Sequence, residues 1–158
     1  MQHRGRVAHL RQFDRGARAR VVGDEPRGPD DPSRWYTRRV VDPTVLIEAL
    51  EQRRWLPAIY FIFSRAGCER AMEDVLGSSR PLITREQRRE VDESIAQALA
   101  DSPAIGESNL SQSVFRGLRL GVALHHAGIL PGLKRLIETL FKRGLCRVVF
   151  AKIGRAHV

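Results

Sequence analysis

The stretch GVALHHAGILPGLKRLIETLFKRGLCRVVFA, residues 121–151, determines the predicted fold. It begins with a short apolar strand, GVALHH, and ends with a second one, CRVVFA (146–151). Between the two, apolar residues recur at the three- and four-residue spacing of an amphipathic helix, at positions 133, 136, 137, 140 and 141. Gly144 stands where a glycine commonly ends a helix. The stretch therefore predicts a strand–helix–strand unit.

The preceding segment predicts a helix, a strand and a second helix. PTVLIEALEQRRWL (43–56) begins with a proline suited to the first helical position, and SRAGCERAMEDVL (64–76) begins with a serine placed to cap a helix. Between them, PAIYFIF (57–63) is a nearly continuous apolar run, typical of a parallel strand covered on both faces. We therefore expect Phe61 and Phe63 to lie in the core rather than to stack on bases.

Two further helices separate these units. ITREQRREVDESIAQALA (83–100) carries Thr84 and Gln87 at capping-box spacing, and NLSQSVFRGLRLG (109–121) follows it. The resulting order predicts a doubly wound, mostly parallel α/β domain with a helical insertion over residues 43–151. In such domains ligands gather at the carboxyl ends of the strands.

The first 42 residues differ in composition from the rest of the chain. They contain ten arginines and the turn-rich stretch GDEPRGPDDPSRW (23–35), with one short strand predicted near RARVVG (18–23). We expect residues 1–42 to be a basic linker or peripheral segment without a core of its own.

Charge and composition narrow the class of partner. The formal net charge is +9, from 27 basic and 18 acidic residues, which favours polyanionic partners; a solvated basic surface is the alternative. No apolar stretch approaches the roughly 20 residues that span a bilayer, and the N-terminus lacks the apolar region of a secretory signal. We expect a cytoplasmic protein with no membrane partner. Cys68 and Cys146 lack metal-site spacing and are expected to be reduced and buried.

Two segments carry a resemblance to a known family. FIFSRAGCE (61–69) looks like helicase motif IV, and HHAGILPGLKRLIETLF (125–141) leads into VVFA (148–151), which looks like the start of motif V. Together with their order, they make residues 55–151 resemble the second RecA-like domain of DEAD/DEAH-box superfamily-two helicases. The closest branch is the superkiller-like, exosome-associated DExH RNA helicases and their bacterial relatives.

The resemblance implies a division of labour between two domains. In the family, ATP and Mg²⁺ occupy the cleft between the two RecA-like domains, and the second domain contacts the backbone of single-stranded RNA, with DNA as the alternative. The chain has no G-x-x-x-x-G-K-[ST] phosphate loop, no D-E-x-H or D-E-x-D acidic box and no arginine-rich motif VI. We therefore expect no catalytic, cofactor or metal site in this chain alone, and the missing first RecA-like domain as a partner. The alternative is a stand-alone, non-catalytic α/β module that binds RNA or a partner protein.

The last seven residues, KIGRAHV (152–158), match the in-frame translation of a common sequencing adapter. We expect them to be a non-native tail and the domain to be incomplete at its C-terminal side. An incomplete sheet would leave CRVVFA (146–151) near an exposed edge, and such edges invite aggregation.

His125 and His126 admit three interpretations: metal ligands, a catalytic pair, or architecture beside the RNA. Neighbouring residues on a strand point to opposite faces, and ligands at metal-site spacing are missing from the sequence around them. The resemblance places them at a strand end, so we expect one histidine to face inward as a structural group and the other to face the nucleic-acid channel.

Three further residues are candidates for contact with the RNA backbone. Ser64 and Arg65 combine a hydroxyl, a guanidinium and the free N–H groups of a helix start, a set suited to a phosphate; a simple N-cap and a solvated arginine are the alternative. Lys134, in the first turns of its helix, either touches the RNA backbone or belongs to an exposed helix face.

Overall fold

The computed structural model describes residues 42–78 and 80–153. The predicted linker and its strand near residues 18–23 lie outside the described residues, as do the last five residues of the chain. Five helices and three strands are described. The helices are α1 (Pro43–Gln52), α2 (Arg65–Ser78), α3 (Arg85–Asp101), α4 (Asn109–Leu118) and α5 (Pro131–Lys142); the strands are β1 (Ala58–Ile62), β2 (Val122–His125) and β3 (Val148–Lys152). A short 3₁₀ helix, Pro103–Gly106, precedes α4.

The three strands form one parallel sheet in the order β1-β3-β2. The α/β class is thereby confirmed. The expectation that CRVVFA lies near an exposed edge is wrong, because β3 pairs with β1 on one side and with β2 on the other. After β1, the helical insertion leads the chain to β2, which lies two strand positions away. Helix α5 then returns the chain to the position between them, which β3 fills. The outer strands of the described sheet are β1 and β2.

The two faces of the sheet follow from its register. Residues paired across parallel strands share a face, so Tyr60, Phe150 and Leu124 lie on one face, and Phe61 and its partners lie on the other. Helices α2 and α4 cover the first face, and on it the Tyr60 and Phe150 rings pack in a T-shaped arrangement with their centroids 5.9 Å apart. This face holds the centre of the core.

The second face is covered only in part. Helix α5 packs against β2 and α3, and β1 lies at the edge of the sheet beyond it. As a result Phe61 and Phe63 are 57% and 64% exposed, and Ile59 is exposed beside them. The expectation that PAIYFIF is covered on both faces, with both phenylalanines in the core, is therefore wrong for this part of the structure.

Both cysteines are fully buried and unpaired, as predicted. Burial raises the pKa of the Cys146 thiol to about 12, so this group stays neutral and behaves as a small apolar side chain. None of the helices in residues 42–78 and 80–153 is long and apolar enough to cross a membrane.

The predicted capping box at the start of α3 is present. The Thr84 hydroxyl accepts a hydrogen bond from the Gln87 N–H at 3.2 Å, and the Gln87 side chain accepts one from the Thr84 N–H at 2.9 Å. Replacing Thr84 by alanine removes the first of these bonds, so we expect a loss of about 1 kcal/mol in the free energy of unfolding, measured by urea denaturation.

Thr139→Ala is the matched control, since Thr139 is exposed within α5 and caps nothing. Its free energy of unfolding should stay level or rise slightly, because alanine favours helix. Equal losses in the two variants would contradict the capping role.

Candidate nucleic-acid interface

Three polypeptide segments meet at the carboxyl edge of the sheet. Ser64 and Arg65 follow β1, His125 ends β2, and Ile153 follows β3. Since the strands are parallel, all three segments emerge on the same side of the sheet. This is the edge at which doubly wound domains bind their ligands.

Ser64 and Gly67 shape the start of α2. The Ser64 hydroxyl accepts a hydrogen bond from the Gly67 N–H at 3.0 Å, and the Ser64 carbonyl accepts one from the Cys68 N–H at 3.1 Å. A Cβ atom on Gly67 would lie 2.7 Å from the Ile62 side chain, so the close turn from β1 into α2 requires glycine. Within the described residues the hydroxyl proton of Ser64 has no acceptor, and the Arg65 side chain next to it is exposed.

The two histidines point to opposite sides of the sheet. His125 lies on the α5 side, where its Nε2 is 3.1 Å from Glu138 Oε1, and its side chain is 34% exposed. His126 lies on the α2 side, where its Nε2 is 3.3 Å from Glu69 Oε1, and the residue is only 4% exposed. The structure thus places His126 inward and leaves His125 partly open to solvent.

Gly128 connects His126 with Arg65. The Gly128 N–H donates a hydrogen bond of 3.0 Å to His126 Nδ1. A Cβ atom on Gly128 would lie 3.0 Å from the His126 ring and 3.4 Å from Arg65 Nη1. The structure therefore brings Arg65 and His126 together around this glycine, and Ser64 precedes Arg65 in the chain.

Burial lowers the pKa of His126 below its ordinary range. The Glu69 carboxylate acts in the opposite direction, and the charges of Arg65 and His125 act in the same direction as burial. His126 is therefore neutral at physiological pH. Because its Nδ1 accepts a bond from a backbone N–H, the single proton of the ring lies on Nε2, facing Glu69.

Lys134 lies on α5, a different helix from the one that Ser64 and Arg65 begin. It is half-buried in the first turn of α5, one turn before Glu138, the residue that meets His125. Among the predicted residues, Lys134 and His125 are thus associated with α5, and the other three with the start of α2.

Sequence reasoning missed Glu69, Glu138 and the bond from Gly128 to His126. The spacing of Glu69, four residues after Arg65, could have predicted that both side chains lie on the same face of the helix. The roles of Gly128 and Glu138 depend on how a loop and a helix pack against β2, which no local pattern reveals. Within the described ranges, three or more histidine, cysteine, aspartate or glutamate side chains nowhere come together as a metal site would need.

Comparison with family models gives no match. Comparison with curated proteins gives several relatives. The chain is 37% identical to the probable helicase HelY of Mycobacterium leprae over 147 residues, which is 92% of this chain and 16% of that protein. It is 40% identical to the chloroplastic DExH-box ATP-dependent RNA helicase DExH15 of Arabidopsis thaliana over 82% of this chain and 11% of that protein. It is 35% identical to the mouse Superkiller complex protein 2 over 67% of this chain and 8% of that protein.

Proposed function

This chain is a member of the superkiller-like DExH-box RNA helicases by homology to a segment of them, and we propose that it is the part of the second RecA-like domain that holds the backbone of single-stranded RNA. It spans about a sixth of the length of the mycobacterial relatives (16%). We therefore propose helicase activity for a longer, intact protein and not for this chain alone.

The observation that carries the proposal is the grouping of Ser64, Arg65 and the start of α2 at the carboxyl edge of the sheet. The Ser64 hydroxyl proton, the exposed Arg65 guanidinium and the N–H groups of α2 that precede Gly67 can all donate hydrogen bonds, and a phosphate accepts them. The net charge of +9 favours the same ligand. Contacts of this kind hold the RNA backbone and read little of the base sequence.

ATP and Mg²⁺ do not fit the residues of this chain. A nucleotide needs a phosphate loop with its lysine and acidic side chains to place the metal, and the sequence has neither motif. We propose that ATP hydrolysis in the intact protein uses a first RecA-like domain as the partner of this one. The chain alone is expected to bind RNA without hydrolysing ATP.

Arg65→Ala is the direct test of the RNA contact. The 158-residue chain is titrated into fluorescein-labelled oligouridylate at several salt concentrations, and binding is followed by anisotropy. We expect the variant to bind several-fold more weakly, with a slope of log K against log salt that is smaller by about 0.7, because one phosphate contact is lost.

Arg88→Ala is the control, since it removes the same charge from an exposed position. Arg88 lies in the first turn of α3, which begins at the opposite edge of the sheet, where the Leu82 N–H donates to the Leu120 carbonyl just before β2. Equal weakening in both variants would mean that only net charge matters and would refute the assigned site.

A further inference from the structure

His126 has two different neighbours, one on each ring nitrogen. Its Nδ1 accepts the Gly128 N–H, which lies in the loop between β2 and α5. Its Nε2 lies 3.3 Å from Glu69 Oε1, although not in the alignment of a hydrogen bond, and has no hydrogen-bond partner within the part of the chain that the structure describes. The ring thus bridges α2 and the β2–α5 loop.

The ring is held tightly in this position. The His126 side chain is almost fully buried, whereas Glu69 is half exposed and lies one helical turn after Arg65. A Cβ atom on Gly128 would touch both the imidazole ring and the Arg65 guanidinium, at the distances given above, so all three groups lie close together. Any shift of the ring would therefore move the loop relative to Arg65.

We propose that Glu69 and His126 are positioning residues: Glu69 orients the neutral His126 ring, and the ring holds the Gly128 amide and with it the β2–α5 loop beside Arg65. The consequence for RNA binding rests on the function proposed above for Arg65. The positioning of the β2–α5 loop by His126 does not depend on that function.

The arrangement depends on the protonation state of the ring. A proton on Nδ1 would remove the acceptor for the Gly128 N–H and release the loop. The charged groups that face the ring are Arg65 and Glu69 from α2 and His125 from β2, and only Glu69 favours the protonated form. Without the Glu69 carboxylate, release of the loop should therefore require a lower pH.

The first test follows the Gly128 amide resonance of the ¹⁵N-labelled chain as the pH is lowered, together with the ring nitrogen shifts of His126. We expect the proton on Nε2 at neutral pH and a midpoint that moves to lower pH in Glu69→Gln. Glu73→Gln removes the same charge one turn further along α2, where Glu73 faces Arg116, and should leave the midpoint unchanged.

Three outcomes would overturn the proposal. One is a proton on Nδ1 at neutral pH. Another is an equal shift in the two glutamine variants. The third is the disappearance of the transition in Glu69→Gln, because the signal would then report the titration of Glu69 itself.

A second pair of variants connects the loop to RNA. His126→Asn keeps an acceptor near the position of Nδ1, whereas His126→Gln places its amide near the position of Nε2. We expect His126→Asn to retain oligouridylate binding and His126→Gln to bind several-fold more weakly; the opposite order would refute the role of the Gly128 bond in RNA binding. If the wild-type chain binds no oligouridylate, the proposed function fails, and the Gly128 titration still decides whether Glu69 and His126 position the loop.

Discussion

Replacing Phe150 by alanine is expected to lower the free energy of unfolding by about 3–5 kcal/mol. Phe150 lies in the central strand β3, is fully buried, and makes a T-shaped ring contact with Tyr60 on the sheet face that α2 and α4 cover. Its removal leaves a cavity in a part of the core that is enclosed on all sides, so the neighbouring side chains relax only in part. Urea denaturation followed by circular dichroism measures the effect.

Phe61→Ala is the matched control for this prediction. The same phenylalanine-to-alanine substitution is made here on the neighbouring strand β1. Phe61 is exposed, because it lies on the sheet face that α5 leaves uncovered. We expect a loss below about 1 kcal/mol, because little apolar area leaves a buried environment. A loss as large as that of Phe150→Ala would show that a further part of the chain covers β1, contrary to the described arrangement.

Gly117→Ala is expected to lower the free energy of unfolding by about 1–3 kcal/mol, although alanine is the better helix former. A Cβ atom on Gly117 would lie 2.7 Å from the backbone oxygen of Val122 and 3.2 Å from the sulfur of Met72. A backbone oxygen in a strand cannot move aside as a flexible side chain does. The variant must therefore push α4 away from β2 and loosen the face that holds Phe150.

Gly77→Ala controls for the change in helix propensity. Gly77 lies in α2, and among the described residues outside its own helix backbone no atom lies within 4 Å of the added Cβ, so the substitution should be neutral or should stabilise the chain by up to about 1 kcal/mol. Thermal denaturation of the two variants side by side separates the effects. The packing explanation is wrong if Gly117→Ala is as stable as the wild type.

The helices were predictable because their signals are local. Pro43, the serine before α2 and the Thr84–Gln87 capping box mark helix starts within four residues of sequence, and the structure has each of these helices. The strands were also recognised, since apolar runs of this length have few alternatives in an α/β pattern.

The position of each strand in the sheet was not predictable by the same reasoning. Whether β3 is central or outer depends on where the helical insertion sends the chain before β2, and the exposure of Phe61 depends on which strands α5 covers. Both depend on long-range packing. The sequence of a short apolar run does not distinguish a strand covered on one face from a strand covered on both.

In the candidate site, too, the features with a local sequence signal were predictable and those that depend on long-range packing were not. Alternation along a strand was enough to predict that His125 and His126 point to opposite sides, and the serine cap of α2 was visible in sequence. The contacts of Glu69 and Gly128 with His126 were not predicted, because they depend on how α2 and the β2–α5 loop pack around the ring.

Chemical-shift perturbation of the ¹⁵N-labelled chain by oligouridylate shows directly whether the carboxyl edge of the sheet binds RNA. We expect RNA to perturb the backbone amides of residues 64–68 and 125–131, at the carboxyl edge. Residues 82–88, at the opposite edge, should not change. Perturbation confined to residues 82–88, or no perturbation of any residue at low salt, would refute the proposed interface.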